Sequence, residues 1–257
     1  MNTIEESVVV AMDGSDKELF PYFPYILQDV WEMGTDPETI TELIKKHSSD
    51  YANATILDLG CGKGAVSVQV SKSIGCKCYG IDAVPEYIEY AQHKAREFNV
   101  EHLCVFETGD IREKVKELCG FDIIILGAIG PVFGDYYTTL TTLSSCLYEH
   151  GIFIIDDGYI TEHSDFSHPL IMKFGTIIQQ IELAGMKLME DKVLPKDKVK
   201  NVNDDIFGNL QRRCNELIEK FPEKSRLFKD YLKKQEVEQD VLENKIVCST
   251  MVIKRKK

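Results

Sequence analysis

The stretch Ile56-Leu57-Asp58-Leu59-Gly60-Cys61-Gly62-Lys63-Gly64-Ala65 decides the fold. Its first four residues, with Thr55 before them, read as a buried strand. Three glycines at alternate positions follow. Without side chains there, the backbone can approach a ligand closely. A helical pattern starts at Ala65, and the unpaired N–H groups of its first turn face the same crevice. Asp82 ends the next apolar run, Cys78-Tyr79-Gly80-Ile81-Asp82, eighteen residues past Gly64. A carboxylate in that place can accept both hydrogen bonds of a ribose diol. The arrangement points to a nucleoside-bearing cofactor. As a bare pattern, Gly60-x-Gly62-x-x-Ala65 also satisfies the loose dinucleotide fingerprint, which keeps an NAD(P)-dependent oxidoreductase open. Asp58 tilts the choice. A carboxylate in an apolar strand, two residues before the first glycine, is badly placed for a pyrophosphate. It suits a cofactor that carries an ammonium or a sulfonium.

Outward from this stretch, short apolar runs alternate with helical patterns. Strands are expected at residues 55–59, 78–82, 103–107, 121–126, 151–156 and 186–194. Helices are expected at 65–73, 85–98, 111–118, 136–147 and 174–184, with Gly185 as the stop of the last. That order is the signature of a parallel sheet wound by right-handed crossovers. Residues 1–50 read as helical and peripheral. Phe20-Pro-Tyr-Phe-Pro-Tyr25 is a proline-broken aromatic entry. Ile26-Leu27 and Val30-Trp31 continue with helical spacing until Gly34. Asp36 as N-cap and Pro37 at the first helical position start a helix to about residue 46. Residues 196–245 interrupt the alternation with amphipathic helices that split near Phe221-Pro222. Leu210, Cys214, Leu217 and Ile218 form their apolar stripe. A last strand follows at 246–253.

The ordered set of strand ends resembles the class I S-adenosylmethionine-dependent methyltransferases. Asp58-Leu-Gly-Cys-Gly-Lys-Gly64 is similar to that family's first motif. Gly80-Ile-Asp82 is similar to the second, whose acid binds the ribose hydroxyls. Thr108-Gly-Asp110-Ile111 is similar to the third, whose acid and following apolar residue hold the adenine. Phe121-Asp122-Ile-Ile-Ile-Leu126-Gly127-Ala128 resembles the fourth strand and its cofactor-facing end. The resemblance covers residues 54–160 and is closest to small-molecule enzymes of the ubiquinone-biosynthesis type. It implies an α/β, Rossmann-like doubly wound sheet of seven strands whose last strand is antiparallel. An N-terminal helical lid (residues 1–50) is then expected on a methyltransferase domain (51–257), with a helical insertion at 196–245. The cofactor implied is S-adenosyl-L-methionine, held by Asp58, Gly60, Cys61, Gly62, Gly64, Asp82, Ala83, Asp110, Ile111 and Gly127. Gly130-Pro-Val-Phe-Gly134 departs from the Asn/Asp-Pro-Pro-aromatic motif of many enzymes that methylate planar amino groups in nucleic acids.

The acceptor side is expected outside the carboxyl ends of the strands. Asp135 follows the fourth strand there. Asp156, Asp157, Tyr159 and His163 follow the fifth, and His163 is the base favoured by intrinsic pKa, ahead of Asp157 and Tyr159. His168 is near enough in sequence for a metal set with Asp156, Asp157 and His163, but no ligand spacing supports one. Lys63 reads as a solvated helix residue and Cys61 as small filler. Tyr22, Phe23, Tyr25 and Trp31 are expected either to line the lid or to pack a helix onto the domain. The stripe in the insertion is expected to mediate a homodimer or to pack on its own chain. A non-catalytic methyltransferase-like module that binds a cofactor or partner also stays open.

Composition narrows the partners. The 257 residues hold 30 Lys and Arg against 42 Asp and Glu, a net charge of −12. So acidic a chain is a poor match for nucleic acid, whose affinity rests on Lys and Arg at phosphates. No run of 18 apolar residues marks a membrane span. The acidic N-terminus lacks a secretory signal's positive flank. The eight cysteines are scattered, with no C-x-x-C pair. Free thiols in a reducing cytoplasm are the expectation. Residues 1–50 carry eleven acids against three lysines. The commoner explanation of such charge is a solvated acidic surface kept for solubility; the alternative is a lid that favours neutral or amine acceptors over anionic ones.

Overall fold

The computed structural model describes residues 3–256. Seven strands form one sheet: β1 (Thr55–Leu59), β2 (Lys77–Asp82), β3 (Cys104–Thr108), β4 (Phe121–Gly127), β5 (Leu147–Tyr159), β6 (Met186–Val193) and β7 (Val247–Arg255). Their order is β3-β2-β1-β4-β5-β7-β6. The first five are parallel, and β7 runs antiparallel between β5 and β6. The expected seven-stranded architecture is therefore the observed one. The winding reverses between β1 and β4, and in open α/β sheets ligands bind at that crevice, beyond the carboxyl ends of the strands.

Strand side chains alternate between two faces. Ile56, Ile123, Ile125 and Ile154 pack against α3 (Pro37–His47), α4 (Ala65–Ile74) and α5 (Pro85–Glu97). Leu57, Leu59, Ile124 and Phe153 pack on the other face, where α7 (Tyr136–Leu143) and α8 (Phe174–Leu183) lie. A short helix α6 (Ile111–Lys114) follows β3. Asp36 caps α3 as expected, accepting from the Thr39 N–H at 3.0 Å, and Pro37 is the first helical residue.

A third core joins the two ends of the chain. The N-terminal helices α1 (Ile4–Ala11) and α2 (Phe23–Ile26) pack against α9 (Lys196–Lys220) and α10 (Ser225–Asp240). The insertion splits at Phe221-Pro222, where the sequence pattern placed the break. Its stripe is spent inside the chain: Leu210, Cys214 and Leu217 are buried with Phe23, Ile26 and Leu27, and Ile218 packs on the same cluster. That face is closed to a dimer partner. Among the described residues, no helix is long and apolar enough to cross a membrane.

Two boundaries differ from expectation for a visible reason. Helix α7 stops at Leu143, not Leu147, and β5 starts at Leu147, not Gly151. The carbonyls of Ser144 and Leu147 accept from the Arg255 guanidinium, and that of Cys146 accepts from the Phe121 N–H at 3.0 Å. Those acceptors are engaged by neighbouring strands, so the helix cannot continue. Helix α2 likewise ends at Ile26, and Val30-Trp31 lie outside it.

Candidate active site

At the carboxyl ends of β1, β2, β4 and β5 opens a cavity of about 870 Å³. The glycine turn forms its floor. Gly62 and Gly64 have φ of +51° and +72°, a region costly for side-chain-bearing residues. A Cβ on Gly64 would lie 2.7 Å from the Ala91 Cβ, so α4 and α5 also approach closely because nothing projects there.

Asp58 lines the cavity and is 3% exposed. Its Oδ2 accepts from the Ser67 hydroxyl at 2.6 Å. Burial pushes its carboxyl up to about 6, with the nearby Asp82 adding to the rise and Ser67 opposing it. Asp82 is also buried. Its Oδ2 accepts from the Gly62 N–H at 2.8 Å and its Oδ1 from the Val84 N–H at 2.9 Å. Burial raises its pKa, and those backbone amides hold the rise in check. Asp110 caps α6 and is gripped by Arg112, whose Nη2 lies 2.7 Å from Oδ2. The guanidinium holds this carboxyl below its usual range. Arg112 also donates to the Ser7 hydroxyl of α1 at 3.0 Å, which ties the N-terminal helix beside the third acid.

Gly60, Cys61, Gly62, Ala83, Ile111 and Gly127 all line the cavity with these three acids. Gly64 sits one layer behind, as the N-cap of α4. The donor set fits S-adenosylmethionine on its own chemistry. Asp58 is a buried carboxylate with one hydroxyl partner and no cation, at the foot of the cavity, suited to a positively charged group. Asp82 is held rigidly by two amides, each carboxylate oxygen keeping acceptor capacity for a diol.

The acceptor-side candidates separate. Asp156 and Asp157 line the cavity; His163 and Tyr159 do not. His163 is exposed on a turn. The Tyr159 hydroxyl donates to Asp191 at 2.8 Å, away from the site. Asp135 caps α7 through Thr138. His168, not His163, reaches the lining. Among the described residues, no three such side chains converge as a metal site.

The N-terminal aromatics also separate. Trp31 lines the cavity and donates through Nε1 to the Lys63 carbonyl at 3.0 Å. Tyr22 packs edge-on to Phe221 and Phe228, Phe23 to Tyr231, and the Tyr25 hydroxyl meets Glu216 at 2.5 Å. These three fix the insertion instead. Lys63 corrects the reading as a solvated residue. It is 3% exposed, and its Nζ donates to the carbonyls of Leu27 and Val30, the latter at 2.8 Å.

Sequence reasoning missed the roof. Asp13 lies beyond α1, and Val202, Ile206 and Phe207 of α9 and Glu238 of α10 line the cavity from above. The spacing Val199, Val202, Ile206, Leu210 on one helical face was the available signal.

The methyltransferase domain family model matches residues 50–239. The chain belongs to the methyltransferase domain family, of the class I S-adenosylmethionine-dependent type. A ribosomal protein L11 methyltransferase of Lachnospira eligens is 30% identical over 138 residues, 49% of this chain and 41% of that protein. A malonyl-[acyl-carrier protein] O-methyltransferase of Acetivibrio thermocellus is 29% identical over 54% of this chain and 44% of its own length. The chain thus spans less than half the length of these curated relatives. In fold it is similar to a SAM-dependent methyltransferase of Thiobacillus denitrificans solved with S-adenosyl-L-homocysteine. The TM-score is 0.74 at 18% identity, covering 91% of this chain and 98% of the other.

Proposed function

We propose that this protein transfers a methyl group from S-adenosylmethionine to a small-molecule acceptor held in the roofed cavity. The observation that carries the reading is the cover that helices place over the strand ends, which leaves the cavity about half open. A cavity of about 870 Å³ lies in the range of small-molecule sites, ~300–1,000 Å³, and its roof comes from both chain ends. A protein acceptor would need an open approach to the strand ends, where α1, α9 and α10 stand instead.

The residues divide the work. Asp82 would take the ribose hydroxyls, and Asp110 with Ile111 the adenine. Asp58 would face the positively charged amino-acid end. Gly60, Cys61, Gly62, Ala83 and Gly127 would give room along the cofactor, with Gly64 shaping the turn behind them. Bound there, the cofactor supplies an activated methyl group on a sulfonium. The chain's part is then alignment of the acceptor and exclusion of water. Trp31 and Met33 line the cavity at the glycine turn and α1 lines it beside Asp110, which supports lid work for the described residues before α3, while α3 itself packs on the sheet as part of the domain core. The printed names of the curated relatives include protein-borne acceptors, but each aligned stretch covers less than half of its relative.

The test is methyl transfer from labelled S-adenosylmethionine, scored by S-adenosylhomocysteine release. Turnover is expected with soluble small acceptors from a panel of amines, thiols, phenols and acids. Labelling of ribosomal protein or acyl carrier protein, with no turnover of any small molecule, would overturn the reading.

A further inference from the structure

The acceptor end of the cavity has a charge pattern of its own. Gly127 of β4 and Asp156 of β5 are paired neighbours, and the Ala128 N–H donates to the Asp156 carbonyl at 3.0 Å. This puts the Asp156 side chain directly beside the cofactor-facing end of β4. Asp156 is 8% exposed and lines the cavity. Only the Thr250 hydroxyl reaches its carboxylate, at the outer limit of 3.5 Å, and the nearby Thr35 hydroxyl is buried without a hydrogen-bond partner among the described residues. Asp157, next in the chain, is better satisfied: the Tyr136 hydroxyl donates to Oδ2 at 2.9 Å and the Gly158 N–H to Oδ1 at 2.7 Å. Among the described residues, no cation acts on either carboxylate.

The opposite wall carries two more carboxyl groups, Glu238 and Asp13. Burial raises both, Lys234 acts on both and His168 on Glu238, and the Cys248 thiol lies near Asp156, Asp157 and Glu238 together. Three cations that line the cavity are already engaged. Lys198 is bound to Asp36 at 2.6 Å, Arg112 to Asp110, and the Lys63 ammonium to backbone carbonyls. Ile129, Val132, Phe133, Ile206 and Phe207 give this end an apolar surface, with Asn203, Gln235 and Gln239 as polar lining beside it. A buried carboxylate without a counter-ion is costly unless a ligand brings one.

We propose that the acceptor is an amine carried on an apolar body, and that Asp156 receives its ammonium group and takes the proton from it. This rests on the methyl-transfer reading above. The ammonium N–H bond breaks, and its proton passes to the Asp156 carboxylate. The freed nitrogen lone pair bonds to the methyl carbon while that carbon's bond to sulfur breaks. The sulfur keeps the electron pair and becomes a neutral thioether, and the positive charge ends on the methylated nitrogen. Burial pushes the Asp156 carboxyl up to about 7, with Asp157 and Asp36 adding to the rise, so it is a far better proton acceptor than an exposed aspartate. The groups that face it are Asp157 on its own strand, Thr35 and Asp36 before α3 with Lys198 behind, Thr250 and Cys248 on β7, and Tyr136 on α7.

Calorimetric titration of the protein saturated with S-adenosylhomocysteine tests this, using N-methylphenethylamine and 3-phenylpropanoate as matched probes. The amine is expected to bind at least tenfold more tightly than the carboxylate. At pH 6, in two buffers of different ionisation heat, its binding is expected to release a proton. Asp156→Asn is expected to lose at least tenfold in amine affinity and to abolish the proton release, with S-adenosylhomocysteine affinity unchanged. Equal or tighter binding of the carboxylate, or an unaltered amine affinity and proton release in the variant, would overturn the proposal. Should the variant fail to fold, the wild-type probe preference and proton release decide it. Absence of S-adenosylhomocysteine binding would instead sink the methyl-transfer reading beneath it.

Discussion

Asp58, Asp156 and Asp13 all carry a carboxyl that burial pushes up, to about 6, about 7 and about 7. In an unfolded chain each would titrate near 4. The folded state therefore binds more protons than the unfolded state between those limits. The stability these groups contribute is fully present below about pH 4 and is lost as pH rises through 6 to 7. Carboxylates held below their usual range, such as Asp36 and Asp110, act oppositely, but their loss comes only in more acid solution. The ligand-free protein is expected to melt at a higher temperature at pH 5.5 than at pH 8. Asp58→Asn keeps an acceptor for the Ser67 hydroxyl and removes one buried charge. At pH 8 it is expected to stabilise the ligand-free chain by about 3 kcal/mol and to flatten the pH dependence. Melts of both proteins across that pH range check this; a variant less stable at pH 8 would show that the buried charge is compensated.

At the scale of elements, Lys63 joins the cofactor turn to the N-terminal segment. Its ammonium donates to the carbonyls of Leu27 and Val30 in the turn that follows α2. Trp31 returns a bond to the Lys63 carbonyl. Lys63→Ala would leave the Val30 carbonyl without this donor, at roughly 1–3 kcal/mol, while the Leu27 carbonyl keeps the Val30 N–H at 3.0 Å. Hydrogen exchange is expected to rise across residues 20–33, with the central sheet unchanged. Unchanged exchange there, or loss of protection throughout the sheet, would contradict a local strap. Deleting residues 1–33 is a blunter intervention, because it would also uncover Leu210, Leu217 and Phe228. The strap was not legible in the sequence: a lysine between two glycines reads as surface until its long-range partners are known. Strands β1 and β2 were legible because continuous apolar runs bounded by glycine mark buried parallel strands. The start of β5 was not, because Tyr148-Glu149-His150 is exposed and breaks the apolar pattern.

Across the whole molecule, four of the eleven acids in the first fifty residues divide into two groups. One part meets the insertion: Asp29 pairs with Arg212 and Arg213, Glu18 with Lys224, and Asp36 with Lys198. The other part faces the cavity, where Asp13 joins Asp156, Asp157 and Glu238. The charge excess alone could not separate these, since pairing across 162 to 206 residues of chain depends on the fold. The cofactor half of the site was readable because its acids sit at fixed places on strand ends. Of the acceptor half only Asp156 and Asp157, after the fifth strand, were readable, because the roof comes from segments that share no motif. Both halves depend on the glycine turn and its three acids holding S-adenosylmethionine. Calorimetric titration with S-adenosylhomocysteine tests that claim most directly. One site per chain is expected, weakened at least tenfold by Asp82→Asn and undisturbed by NAD(P); tight NAD(P) binding with no S-adenosylhomocysteine binding would contradict it.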